Sequence, residues 1–220
     1  LTTTVFSIVN GALFKGLPFE RADRVMVLGR TNPARNVDFM QIDGQDFADF
    51  RDQQTVFEGL AALDVRAVNL AEGDGQPERF TGGYFDHRVF DLLRVRPILG
   101  RTFREAEDRP GAEPVIILGY ELWRDRFGGS RDVLGRTVKA HGITRTIIGV
   151  MPEGFAFPDR EQLWLPLALD PSATPRGQGP QYFVVGRLKD GVSRAEAQTQ
   201  MTTIAARLQR EYPDADRGLG

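Results

Sequence analysis

The sequence predicts an α+β fold: an outer α/β sandwich, discontinuous in sequence, with a smaller β-rich subdomain inserted into it. Three observations predict it. The opening part reads strand, helix, strand, and the closing part reads strand, helix. Between them, and above all over 115–167, short apolar runs alternate with Gly and Pro at regular intervals. Outer pieces of one style around a middle of another fit an insertion better than two domains in series. A chain of 220 residues buries roughly 70% of its unfolded surface, so its core needs no staples.

Taken in order, the first element is the apolar segment 5–14, closed by Lys15 and Pro18. It lacks the basic n-region and small-residue cleavage site of a signal peptide. It is also shorter than the roughly 20 apolar residues that span a bilayer. The outer end of a membrane helix and an ordinary amphipathic helix both fit it. Residues 24–29 read as a short buried strand, broken by Thr31-Asn32-Pro33. Asp43 is placed to cap a helix on which Phe47, Phe50, Phe57 and Leu60 recur at helical spacing. Residues 62–70 alternate as a strand, 72–75 turn the chain, and 77–84 return it.

A short helix over 86–93 would bury Val89, Phe90 and Leu93, and a charged loop follows at 105–111. Val115–Leu118 is an apolar strand, and Tyr120–Phe127 a helix with Leu122, Trp123 and Phe127 on one side, stopped by Gly128-Gly129. Leu99-Gly100-Arg101-Thr102 and Leu134-Gly135-Arg136-Thr137 echo each other over four residues, which reads as one turn-into-strand device used twice. Thr137–Ala140 and 144–150 flank His141-Gly142 as a hairpin, and Met151 to Gly154 form a turn. Residues 163–167 are the last strand of the middle, and the Pro/Gly/Ser-rich stretch 170–180 is the linker. A strand over 182–188 precedes the Ser193/Glu196 capping box of a helix whose one face carries Ala197, Met201, Ile204, Ala205, Leu208 and Tyr212.

Composition excludes several classes. A net charge of −2 argues against a nucleic-acid surface. The absence of Cys removes disulfides and thiolate metal sites. His87 and His141 lack the spacing of a metal motif and read as exposed or locally satisfied. Ser7, Ser130, Ser172 and Ser193 lack a nucleophile elbow. Gly82-Gly83 and Gly128-Gly129 do not continue as phosphate loops and read as turns or helix stops.

Asp43, Asp46, Asp49 and Asp52 recur every three residues and read as a solvated helix face. Glu105, Glu107 and Asp108 cluster without a partner acid. Trp123 and Trp164 stand in apolar patterns and read as core. Arg101, Arg136 and Arg187 each follow a Gly and read as surface ion pairs. The residues therefore predict no catalytic, cofactor-binding or metal site, no cofactor and no enzyme.

The combination of motifs resembles the MacB-like periplasmic core domain of bacterial ABC-transporter permeases, of the duplicated orphan type abundant in acidobacteria. The matching residues include Val5-Phe-Ser-Ile-Val-Asn10, Asp46-Phe-Ala-Asp-Phe-Arg51 and Phe90-Asp-Leu-Leu-Arg-Val-Arg-Pro-Ile-Leu-Gly-Arg-Thr-Phe103. They continue with Leu118-Gly-Tyr-Glu-Leu-Trp-Arg-Asp-Arg-Phe-Gly128, Gly154-Phe-Ala-Phe-Pro158, Trp164-Leu-Pro166 and Val185-Gly-Arg-Leu-Lys-Asp-Gly-Val-Ser193.

The resemblance implies that 1–20 are the end of a first transmembrane helix or its stub. It implies a porter-like subdomain over 21–72 and 178–220, and an inserted β-rich subdomain over 73–177. It further implies a periplasm-facing domain of a bacterial inner-membrane permease that transmits conformational change for export or efflux. The implied partners are a separate ATP-binding subunit, a second permease copy, and a periplasmic adaptor or substrate protein, with no nucleic acid. The transporter reading requires a strand over 184–188 paired beside the strand over 25–28. The alternative, an extracytoplasmic ligand- or peptide-binding module without a transport role, requires a concave pocket lined by Trp123, Trp164 or Tyr182. A hydrolase requires a strongly perturbed carboxylate or His in a cleft.

Overall fold

The computed structural model describes residues 5–10, 20–32, 36–73 and 75–213. In chain order the elements are β1 (Val5–Asn10), β2 (Val25–Asn32), β3 (Val37–Met40), β4 (Ile42–Asp43), α1 (Gly44–Gln53), β5 (Phe57–Ala71), β6 (Glu78–Phe85) and α2 (Val89–Leu93). There follow β7 (Leu99–Gly100), β8 (Val115–Leu118), α3 (Tyr120–Phe127), β9 (Thr137–Ala140), β10 (Ile143–Val150), β11 (Leu163–Pro166), β12 (Gln181–Leu188) and α4 (Arg194–Glu211). The fold is α+β, and the chain divides into two compact units. One is discontinuous and holds β1, residues 21–62 and the chain from 170 onward; the other is inserted and holds 63–169. The division falls inside β5, between Ala62 and Leu63, and again between Leu169 and Asp170.

In the discontinuous unit the strand order is β1-β2-β12-β5, with β3 on β2 and β4 on β12. β12 comes from the closing segment and lies antiparallel to β2 with Val184 opposite Leu28 and Arg187 opposite Val25. This is the pairing that the transporter reading requires. Gly186 lets β12 approach β5 closely: a Cβ there would lie 2.6 Å from Leu60 and 2.9 Å from Phe57.

Asp43 caps α1 by accepting from Gln45 N at 2.9 Å, and Phe47 and Phe50 turn inward. The helix expected to continue through Phe57 and Leu60 ends at Gln53. The Gln54 side chain accepts from Phe57 N at 2.8 Å, a local bond that competes with the next helical turn. Phe57 and Leu60 are buried in β5 instead. α4 opens on the capping box: Ser193 Oγ accepts from Glu196 N at 3.2 Å and Glu196 accepts from Ser193 N at 2.7 Å. It buries Ala197, Met201, Ile204 and Leu208, while Ala205 is half-buried and Tyr212 lies past the helix end, exposed.

A helix was the expectation over 5–14, and Val5–Asn10 is a strand instead, antiparallel to β2 with Ile8 opposite Leu28. Its Val, Phe, Ile and Val are residues that favour the pleated state. Residues 1–4 and 11–19 lie outside the described residues. No helix among the described residues is long and apolar enough to cross a membrane.

In the inserted unit the pairings close on themselves. β5 pairs β6, β6 pairs β11, β11 pairs β8, β8 pairs β10, β10 pairs β9, and β9 returns to β5 through Leu70 opposite Ala140. Each of the six strands thus has a partner on both sides, and β7 adds to β10 at Gly149 and Val150. One aliphatic cluster joins Val68, Ile116, Leu118, Val138, Ile147 and Leu163. A second cluster is aromatic: Phe85, Phe90, Phe155 and Phe157 contact one another or Trp164, with ring centroids 5.0–6.4 Å apart. The glycine pair Gly82-Gly83, expected in a turn, lies inside β6. A Cβ at Gly83 would come within 2.6 Å of the Trp164 ring, so the pair makes room for that indole.

The echoed tetrads both lie against β10. Gly100 pairs with Gly149 and Arg101 N donates to Ile148 O at 3.0 Å. Gly135 N donates to Ile147 O at 2.9 Å, and Ile147 N to Arg136 O at 2.9 Å. Both glycines have positive φ, 73° and 82°, so one backbone device is used twice against one strand.

Candidate functional site

The charged side chains most deeply placed in the discontinuous unit form two clusters. The first is built on α1. The aspartates expected to form a solvated face split into three roles: Asp43 is the buried cap, Asp46 and Asp49 face inward, and Asp52 alone points outward, beside Arg51. Arg176, in the stretch expected to be only a linker, ion-pairs with Asp46 and holds Asp49 at 2.5 Å. Arg30 reaches Asp46 from β2 at 3.3 Å. Burial raises the Asp46 carboxyl above its ordinary range, with Arg30 and Arg176 opposing. The Arg176 guanidinium also lies 4.1 Å from the centroid of the Tyr212 ring.

The second cluster surrounds Arg24. It donates to Asp190 at 2.6 Å, to Glu58 at 3.2 Å and to the Leu188 carbonyl. Arg187, expected at the surface, is 0% exposed and donates to Arg21 O at 3.2 Å. The Gly before it is what misleads: Gly186 is there for close strand packing, not for an edge. Sequence reasoning missed Arg24, Arg30 and Arg176 because their acid partners lie far along the chain. Three-residue spacing of Asp was the one visible signal.

In the inserted unit Arg101 is half-buried and grips Glu107 at 2.5 and 2.8 Å, while Arg136 stacks over Phe127 at 5.2 Å. Trp164 is 0% exposed and donates to Phe157 O at 3.1 Å; Trp123 donates to Ser130 O at 2.9 Å. Tyr182 is buried in β12 of the other unit. None of these three aromatics lines the hollow described next. A hollow of about 370 Å³ lies at the hairpin ends, lined by Asn69, Ala71, Pro77, Lys139 and His141. His141 is exposed at the β9–β10 turn with Nε2 3.1 Å from Ala67 O.

Ser193 is engaged as a cap, Ser130 accepts from Asp132 N, and Ser172 Oγ donates to Asp170. The side chain of Ser7 lies outside the described residues. No described serine therefore has a histidine base. His87 is half-buried, with Nδ1 3.3 Å from Asp108 and 3.5 Å from Asp86. Loop residue Asp108 is brought to it from 21 positions away.

The structure thus shows a discontinuous strand-and-helix unit with a β-rich unit inserted into its sequence. The sequence matches the MacB-like periplasmic core domain over residues 1–204, and the chain belongs to that family. No curated protein matches it. Its fold is similar to the periplasmic region of MacB from Actinobacillus actinomycetemcomitans, at 17% identity over 88% of this chain and 86% of that one, with TM-score 0.64. It is also similar to a domain of a putative permease protein from Porphyromonas gingivalis, at 18% identity over 89% and 87%, with TM-score 0.65. The extracellular domain of the noncanonic ABC-type transporter YknZ from Gram-positive bacteria matches at 17% identity over 79% and 85%, with TM-score 0.59.

Proposed function

We propose that the chain is the periplasm-facing part of a bacterial inner-membrane ABC-type permease and passes conformational change from the membrane helices to the exported substrate. The observation that carries this reading is the pairing of β12 with β2. Segments from both ends of the sequence share one sheet, so force applied at either end reaches one packed body. We read this discontinuous unit as the porter-like subdomain and the inserted unit as the β-rich one. Moving a two-state assembly from 1:99 to 99:1 takes about 5.5 kcal/mol of differential binding. We read that energy as coming from a separate ATP-binding subunit acting on a permease dimer, in line with the family match. A periplasmic adaptor or substrate protein is the partner on the far side.

The test is reconstitution of the whole permease with its ATPase. Deleting this domain leaves ATP hydrolysis in place and abolishes vectorial transport. The isolated chain hydrolyses neither ATP nor ester or peptide substrates. Transport by the deleted permease, or turnover by the isolated chain, contradicts the reading.

A further inference from the structure

Three ligand-bearing side chains of the inserted unit converge around His87. Asp86 and His87 stand just before α2, and Asp108 comes from the charged loop. One ligand atom from each lies within 4.8 Å of the other two. The side chains are only 10%, 18% and 7% exposed. Two nearly buried carboxylates thus face one imidazole, and the nearest other cation, Arg88, is 4.0 Å from Asp86. Glu105, on the rim, is drawn to Arg109 instead. Two anions so placed need a compensating positive charge.

The spacing says which. From His87 Nδ1 the distances are 3.3 Å to Asp108 and 3.5 Å to Asp86. The first lies at the long limit of an N–H···O bond, about 3.2 Å, and the second beyond it. Both match the edge of a tetrahedron, about 3.4 Å, around an ion with ligands at about 2.0–2.2 Å. The carboxylates are held by backbone donors: Arg88 N to Asp86 at 2.9 Å, His87 N to Asp108 at 2.8 Å, and Ala168 N to the other Asp108 oxygen at 2.7 Å. Such outer contacts fix the orientation of metal ligands. An imidazole with two carboxylates suits zinc and its first-row neighbours, whereas calcium takes six to eight oxygens at longer range.

We propose that Asp86, His87 Nδ1 and Asp108 bind one Zn²⁺-class divalent cation, with water in the fourth position. The ion ties the start of α2 to the charged loop and, through Asp108, to the chain leaving β11.

The experiment is calorimetric titration of Zn²⁺ into the chelator-treated chain at neutral pH, with Co²⁺ absorption and the His87 Nδ1 NMR resonance as spectroscopic readouts. One Zn²⁺ binds per chain, Co²⁺ gives the intense visible bands of four-coordination, and the Nδ1 resonance shifts on binding. His87→Gln weakens binding at least about tenfold, while His141→Gln leaves it unchanged. Circular dichroism of metal-free His87→Gln checks its fold, and if it unfolds, the wild-type Nδ1 resonance decides alone. No saturable Zn²⁺ binding, undiminished binding by a folded His87→Gln, or an unmoved Nδ1 resonance overturns the proposal.

Discussion

The two units are held together in different ways. The discontinuous unit is an open sheet with helices, tied across long sequence distances by charge: Arg176 to Asp46 and Asp49, and Arg24 to Asp190 and Glu58. The inserted unit is a closed ring of strands whose interior is aliphatic and aromatic. A ring pairs its own strands in a circuit and draws mainly on packing. An open sheet assembled from two segments needs contacts that identify the second segment, and directional ion pairs serve that purpose better than apolar area alone. The ring should therefore answer to cavities and backbone space, and the open sheet to charge removal.

The largest expected effect is Trp164→Ala. It empties the centre of the aromatic cluster and costs about 3–5 kcal/mol. Both tryptophans of the chain lie in the inserted unit, so urea unfolding followed by Trp123 fluorescence reads it there. Retention of wild-type stability would mean that the aromatic cluster is not the ring's anchor.

Next comes a contrast within the echoed tetrads. At Gly100 a Cβ would collide with the Ile148 carbonyl, whereas at Gly135 nothing lies within 4 Å. Gly135→Ala then costs only left-handed strain, about 1–2 kcal/mol, and Gly100→Ala costs clearly more. Equal losses in thermal unfolding would show that the two turns are not placed as described.

In the open sheet, Arg176→Ala strands Asp49 and weakens the hold on Asp46, at about 1–3 kcal/mol. A double-mutant cycle with Asp46→Ala gives a coupling of about 0.5–3 kcal/mol, smaller at high salt. Zero coupling would remove charge as the tie between α1 and the chain near 176.

Acid should separate the units more gently. Burial raises Glu107, but hydrogen bonds from Arg101 and the Arg104 amide outweigh it and leave the carboxyl below its ordinary 4.5. Its stabilisation is present above that value and is lost as pH falls through the lower folded-state pKa. Asp46 is raised above 3.8 by burial. It takes up a proton in the folded state first, so the folded form gains as pH falls from that raised value towards 3.8. As pH falls below 4.5 wild type should lose stability relative to Glu107→Gln, and as it falls towards 3.8 gain relative to Asp46→Asn. Parallel pH profiles for both variants contradict this assignment.

The sequence made the local elements legible where chemistry was local. Ser193 with Glu196, Asp43 as a cap, Gly128 after α3 and His141-Gly142 between β9 and β10 all act within a few residues of themselves. The β12–β2 pairing was legible through the resemblance, which carried the long-range information. What stayed hidden was set by distance in sequence. Arg176 belongs to a stretch with linker composition, yet its partners sit on α1. Arg187 follows a Gly that marks close packing with Phe57 and Leu60 and not an edge. Residues 5–10 are apolar enough for either state, and pairing with β2 decides for a strand. His87 carried no motif because Asp108 arrives from another loop.

The central claim is that each unit moves as a rigid body while the assembled permease changes state. Double electron–electron resonance on the full permease tests it, with spin labels replacing Asp52 and Thr199 in one sample, Glu113 and Arg160 in a second, and Arg160 alone on both protomers in a third. The account predicts that the two within-unit distances stay the same between nucleotide-free and ATP-trapped states while the Arg160-to-Arg160 distance shifts. A changed distance within either unit, or an unchanged distance between protomers, would contradict it.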